Sequence, residues 1–151
     1  MAPLICLITA FIVFRAVGLG LPYFADWHYA LRAALGVMFL LTASAHWGKR
    51  RPDLLRMVPE GIGRAGLWVS LTGVAEIGLA IALQIPRLAP WTAAAGVTML
   101  CGLFPANVKA AREHLTIQQK QVLPVAPRLF LQGLFIAALI ASVWPGENGF
   151  R

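Results

Sequence analysis

The chain has 151 residues, 59% of them hydrophobic and 13% charged, and carries a net charge of +7. A soluble domain carries about 25% charged residues, so a compact water-soluble fold would leave large apolar patches uncovered, and the length leaves no room for a second domain. The basic residues cluster between apolar segments instead of alternating with aromatics on a polar face, which argues against nucleic acid and for a lipid bilayer as partner.

Five apolar stretches follow in chain order: residues 2–24, 29–47, 67–85, 88–106 and 129–144. Each is near the roughly 20 residues that a helix needs to cross a bilayer. Backbone groups in lipid must pair within their own segment, so the expected fold is all-α, a polytopic transmembrane helix bundle in one domain. The first stretch is interrupted only by Arg15. It has no basic residues before it and no clear Ala-x-Ala-like site after it, so it reads as a retained span, not a cleaved signal peptide. Cys6 and Cys101 lie singly inside apolar segments, without a Cys-x-x-Cys, and read as small buried hydrophobes.

Two connections are basic. Residues 48–66 carry Lys49, Arg50, Arg51, Arg56 and Arg64 against Asp53 and Glu60, and residues 107–128 carry Lys109, Arg112, Lys120 and Arg128 against Glu113. The alternate connections hold only Asp26 and His28, and Arg87. The positive-inside rule then puts the N-terminus in the cytoplasm and the C-terminus outside. Tyr23, Trp27, Tyr29, Trp91 and Trp144 would form an outer aromatic belt, and Trp47 and Trp68 an inner one. Within the first basic loop, residues 51–59 suit one short helix, with Leu54, Leu55 and Val58 against the bilayer or bundle and its arginines facing headgroups. In the second loop Val108, Ala111, Leu115 and Val122 recur at helical spacing, so the fourth helix is expected to continue past the membrane. Four pairs of small residues, Gly66 and Ser70, Gly78 and Ala82, Thr92 and Gly96, Gly102 and Ala106, are spaced for close helix approach.

Three charges fall inside apolar stretches: Arg15, Arg32 and Glu76. An unpaired charge at mid-membrane costs at least about 2.5–3.5 kcal/mol, so all three should face the bundle, with Glu76 pairing to one of the arginines. Depth favours Arg15; the reach of an arginine side chain allows Arg32. Either an ion pair locks the helices, or Glu76 lines a cavity and meets a ligand or a proton. A second polar group is expected at the cytoplasmic end, where His46 closes the second stretch and Asn107 follows Pro105 at the end of the fourth. His28 and His114 fall in loops on opposite sides, and no metal-ligand spacing occurs, so no metal is expected. No nucleophile–base pair, phosphate loop or cofactor motif is present, which leaves the catalytic residues unknown and a stand-alone catalyst disfavoured.

These residues carry a resemblance. Arg32 to Phe39, ending in Ala45-His46-Trp47, looks like the opening helix of the DoxX family of small bacterial membrane proteins. Arg51-Pro52-Asp53-Leu54-Leu55-Arg56-Met57-Val58-Pro59 resembles that family's return to the membrane, Thr72-Gly73-Val74-Ala75-Glu76 its glycine-plus-acid helix, and Phe104-Pro105-Ala106-Asn107 its fourth marker. The resemblance implies a four-helix core in the bacterial inner membrane with the first span as an addition, and it favours Arg32 as the partner of Glu76. It also implies an accessory or ligand-binding subunit of a membrane redox system, holding a quinone or other small lipophilic molecule. The other function in view is a membrane scaffold or assembly chaperone that packs on a membrane or cytoplasmic protein partner and needs no ligand.

Overall fold

The computed structural model describes residues 1–61, 63–117, 120–121 and 123–144. Six α-helices follow one another: α1 (Ala2–Val17), α2 (Trp27–Ser44), α3 (Arg51–Met57), α4 (Ala65–Ala82), α5 (Ala89–Arg112) and α6 (Val125–Ala141). A 3-10 turn at Pro22–Ala25 joins α1 to α2, and a two-residue antiparallel ladder, β1 (Thr116–Ile117) with β2 (Lys120–Gln121), lies between α5 and α6. Among the described residues the fold is thus all-helical apart from that ladder. The five longer helices sit on the five apolar stretches. Two of them, α4 and α5, are long and apolar enough to cross a membrane; α1 and α6 are apolar but shorter.

Helix α2 is the hub. It packs on α1, α4 and α6, while α5 packs on α6 and more loosely on α4, and α3 runs across one end beneath α4 and α5. Ala34, Leu35, Met38 and Phe39 of α2 meet Leu79, Ala80 and Leu83 from the α4 side and Leu139 of α6 in one apolar core. Alanine at the contact points brings the helices close, and burial of the larger side chains contributes about 1.5–3 kcal/mol each when they leave water. Only Leu7 of α1 joins that core fully buried.

The first apolar stretch is broken where one continuous span is expected. Helix α1 stops at Val17, and Gly18, Leu19 and Gly20 turn the chain toward Pro22. A Cβ on Gly18 would sit 2.5 Å from the Phe24 carbonyl oxygen, so only glycine allows the chain to double back this tightly. Arg15 therefore lies in the last turn of α1, exposed, instead of near the middle of a span. Helix α2 restarts on an N-cap: the Asp26 carboxylate accepts from the His28 backbone N–H at 2.8 Å, and the His28 ring lies at 2.8 Å from the same oxygen.

Helix α5 does run beyond the apolar stretch but ends at Arg112. His114 adopts φ +50°, and its N–H and that of Leu115 return to the carbonyls of Ala111 and Ala110, closing the helix with a left-handed cap. The cap usually uses glycine, so the sequence carried no stop signal; Val122, the last residue of the expected stripe, lies outside the described residues. Of the four small-residue pairs, one glycine brings helices close: Gly96, where a Cβ would meet Leu139 at 3.1 Å, whereas Gly78 and Gly102 have nothing within 4 Å. Cys6 is half-buried and Cys101 exposed, so neither is the buried hydrophobe expected, because both point off the core face of their helices.

Candidate functional site

The carboxylate of Glu76 does not meet an arginine. It meets His46, whose Nδ1 lies 3.7 Å from Glu76 Oε2. Both residues are buried, at 7% and 8% exposure. Helix α2 ends at Ser44, and the following turn folds His46 back against α4 instead of leaving it at an open end. Gly73 makes this possible: a Cβ there would lie 2.7 Å from the His46 Cβ and from the Trp47 ring. One turn further along α4 the same face presents Glu76. The Thr42 side chain, one turn before His46 on α2, donates to the Phe39 carbonyl at 3.0 Å.

The tautomer of His46 follows from its neighbours. Nδ1 lies 3.2 Å from the Thr42 carbonyl oxygen and 3.3 Å from that of Ala43. A carbonyl only accepts, so Nδ1 carries the hydrogen and donates to the end of α2. Glu76 Oε2, at 3.7 Å, is beyond a normal hydrogen bond and has no hydrogen-bond partner among the described residues. A buried polar atom left this way costs about 1–3 kcal/mol unless something else meets it. The pair can hold a proton or a hydroxyl-bearing or carbonyl-bearing group between a carboxyl and an imidazole.

The arginines expected to pair with Glu76 cap backbone instead. Arg15 donates from one nitrogen to the carbonyls of Phe24 and Ala25, at 3.1 and 2.5 Å. Arg32 Nε donates to the Ser142 carbonyl at 2.9 Å, just past the end of α6, and its guanidinium lies 5.3 Å over the Tyr29 ring. Helix and turn ends leave carbonyls without intrahelical donors, and a cation there also meets the negative end of the helix dipole. These acceptors outcompete a carboxylate that lies elsewhere in the bundle. The carbonyl of Arg32 in turn accepts from Gln84 Nε2 at 3.0 Å, across α2 and the end of α4.

The second expected polar group also separates. Asn107 does not face His46; its Oδ1 accepts from Arg128 of α6 at 2.7 Å. Gln132, one turn on, donates to the Leu100 carbonyl at 3.0 Å, in the stretch of α5 that Pro105 loosens.

One residue at the site was missed altogether. Arg51, expected to face headgroups, turns inward and holds three acceptors: the His46 carbonyl at 2.6 Å, the Gly66 carbonyl at 3.1 Å and Ser70 Oγ at 3.1 Å. It ties the start of α3 to the turn that carries His46 and to the first turns of α4. Its position beside Pro52, at the start of α3, was the available signal: the loop had to return its first residue to the bundle. Beside the site, Ala75, Gly78 and Ala82 of α4 and Trp91, Ala95 and Met99 of α5 line an apolar groove of about 430 Å³. Glu76 does not line it.

No curated protein matches the chain, and no solved structure does. One family model matches residues 35–144, the region from the middle of α2 through α6 that contains His46, Arg51 and Glu76 and leaves out α1. With nearly three quarters of its length matched, the chain belongs to the family described as a domain of unknown function, DUF8561.

Proposed function

We propose that this protein is a multi-pass protein of the bacterial inner membrane whose bundle holds a small lipophilic molecule, with Glu76 and His46 as the polar end of the site. In this reading all five longer helices span, the N-terminus is cytoplasmic and the C-terminus outside, and the protein serves a membrane redox system as an accessory, ligand-binding subunit. A quinone fits the pair, since its oxygen would accept from a protonated Glu76. The DoxX-like character belongs to the same proposal and rests on the sequence markers.

The observation that carries it is the buried Glu76 oxygen without a hydrogen bond, 3.7 Å from the His46 ring. Support for the membrane comes from the apolar side chains turned outward, among them Ile5, Ile12, Val74, Ile81 and Phe130, and from exposed tryptophans at both ends of the helices. The open groove between α4 and α5 favours a second reading, a scaffold that packs this face on another membrane protein.

The test is mass spectrometry of small molecules extracted from the mildly purified protein, beside Glu76→Gln purified identically. A lipophilic species enriched with the wild type and missing from a folded Glu76→Gln supports ligand binding and names the ligand. No enrichment in either, with Glu76→Gln less stable and a His46 change easing the loss, supports the scaffold.

A further inference from the structure

At the basic end of the molecule, away from Glu76, lies a cavity of about 530 Å³ between the end of α3, residues 58–61 and 63–65, and the end of α5. Three cationic side chains line it: Arg56, Arg64 and Lys109. Two are positioned by the fold. Arg56 bonds Asp53 and, at 3.2 Å, the Thr116 carbonyl, and Lys109 reaches from α5 to the Val58 carbonyl at 3.0 Å. The Arg64 side chain makes no hydrogen bond or ion pair among the described residues, while its backbone, in the left-handed region at φ +44°, accepts from the Leu67 and Trp68 N–H groups. Two acids share the lining. Glu60 sits 3.8 Å from Lys109 but is 95% exposed at its side chain, and Glu113 is exposed at the end of α5.

The remaining wall is apolar, with Leu55, Val58 and Leu115 among its side chains. A cavity that offers an unengaged guanidinium and an ammonium on one side and aliphatic carbon on the other suits an anion attached to a hydrophobic body. The first turn of α4, which has no side-chain cap, opens here and adds its positive end.

We propose that this cavity binds the phosphate group of an anionic phospholipid, with Arg64 and Lys109 as its charge partners and Leu55, Val58 and Leu115 against the glycerol and the first carbons of the chains. The shared chemistry is a phosphate anion, which free phosphate also offers; the apolar wall favours the lipid. The binding is independent of the Glu76–His46 site, so either stands without the other.

The test is calorimetric titration of the purified full chain in a neutral detergent with dioctanoylphosphatidylglycerol, dioctanoylphosphatidylcholine and inorganic phosphate. Saturable binding of the phosphatidylglycerol is expected, about tenfold weaker in Arg64→Gln, as for loss of one charge-assisted hydrogen bond. Arg64→Lys should retain most of the affinity. Arg87→Gln, the same charge change beyond the opposite end of α4, should bind as the wild type does. Inorganic phosphate binding as tightly, with the same dependence on Arg64, keeps the anion site and moves its ligand to the cytosol. Equal binding of the phosphatidylcholine, or equal weakening by Arg64→Gln and Arg87→Gln, overturns the proposal.

Discussion

Helix α4 meets its two neighbours in opposite ways. Toward α2, Gly36 and Gly73 bring the backbones so close that a Cβ on either would lie 2.7 Å from a side-chain atom across the seam. Toward α5, Gly78 and Ala82 face an open apolar groove, and Gly78 touches nothing within 4 Å. Small residues occur on both sides, so their presence alone does not draw helices together. The tight seam is also where the polar bonds cross, from Gln84 to the Arg32 carbonyl at one end and from Arg51 to Gly66 and Ser70 at the other. Packing space permits a close seam, and hydrogen bonds at its ends fix it.

The sharpest test of this contrast sets Gly73→Ala against Gly78→Ala in thermal unfolding in detergent. The first must displace the His46 and Trp47 side chains and should cost about 1–3 kcal/mol. The second adds a methyl to free space in a helix interior and should gain about 0.5–1 kcal/mol. Equal effects would dissolve the distinction between the seams.

The next largest effect is expected at the basic end of the tight seam. Arg51→Lys keeps the charge but loses the planar fork that reaches three acceptors, and should cost about 1–2 kcal/mol, with the His46 ring signals shifted in NMR. A neutral outcome would mean that the seam does not depend on this tie.

At the other end of α2, a smaller effect should depend on pH. Burial pushes the Asp26 carboxyl up, but hydrogen bonds from the His28 backbone and ring, and the charges of His28 and Arg32, hold it below its ordinary 3.8. With the folded value depressed, its stabilisation is present above pH 3.8 and is lost as the pH falls through the lower folded value. Asp26→Ala should therefore cost about 1 kcal/mol at neutral pH, as for loss of a helix N-cap, and lose that cost in strong acid. An effect independent of pH would assign the cap to the backbone alone.

The helical elements were legible because apolar composition and loop chemistry act locally. Residues 51–59 read as one short helix, and α3 is found at Arg51–Met57. The site was legible only as a set of residues. Glu76 and His46 both stood out, yet their partnership depends on a turn after Ser44 that folds back and on Gly73 making room, neither of which helical spacing reveals. The arginines misled for a different reason: charge complementarity points to a carboxylate, whereas the folded chain supplies carbonyls at helix ends that are nearer. Arg51 looked like a headgroup residue because four other residues of its loop, Lys49, Arg50, Arg56 and Arg64, are also basic.

The two capping arginines differ in how far along the chain their acceptors lie. Arg15 bonds carbonyls nine and ten residues ahead, so the α1–α2 hairpin has its partners as soon as residue 25 has been made. Arg32 bonds a carbonyl 110 residues ahead, and that bond waits until α6 has been synthesised and docked. Until then the Tyr29 ring, three residues back, is the neighbour at hand. Chain growth thus makes the Arg15 bonds available early, while the Arg32 bond can close only after α6 is made.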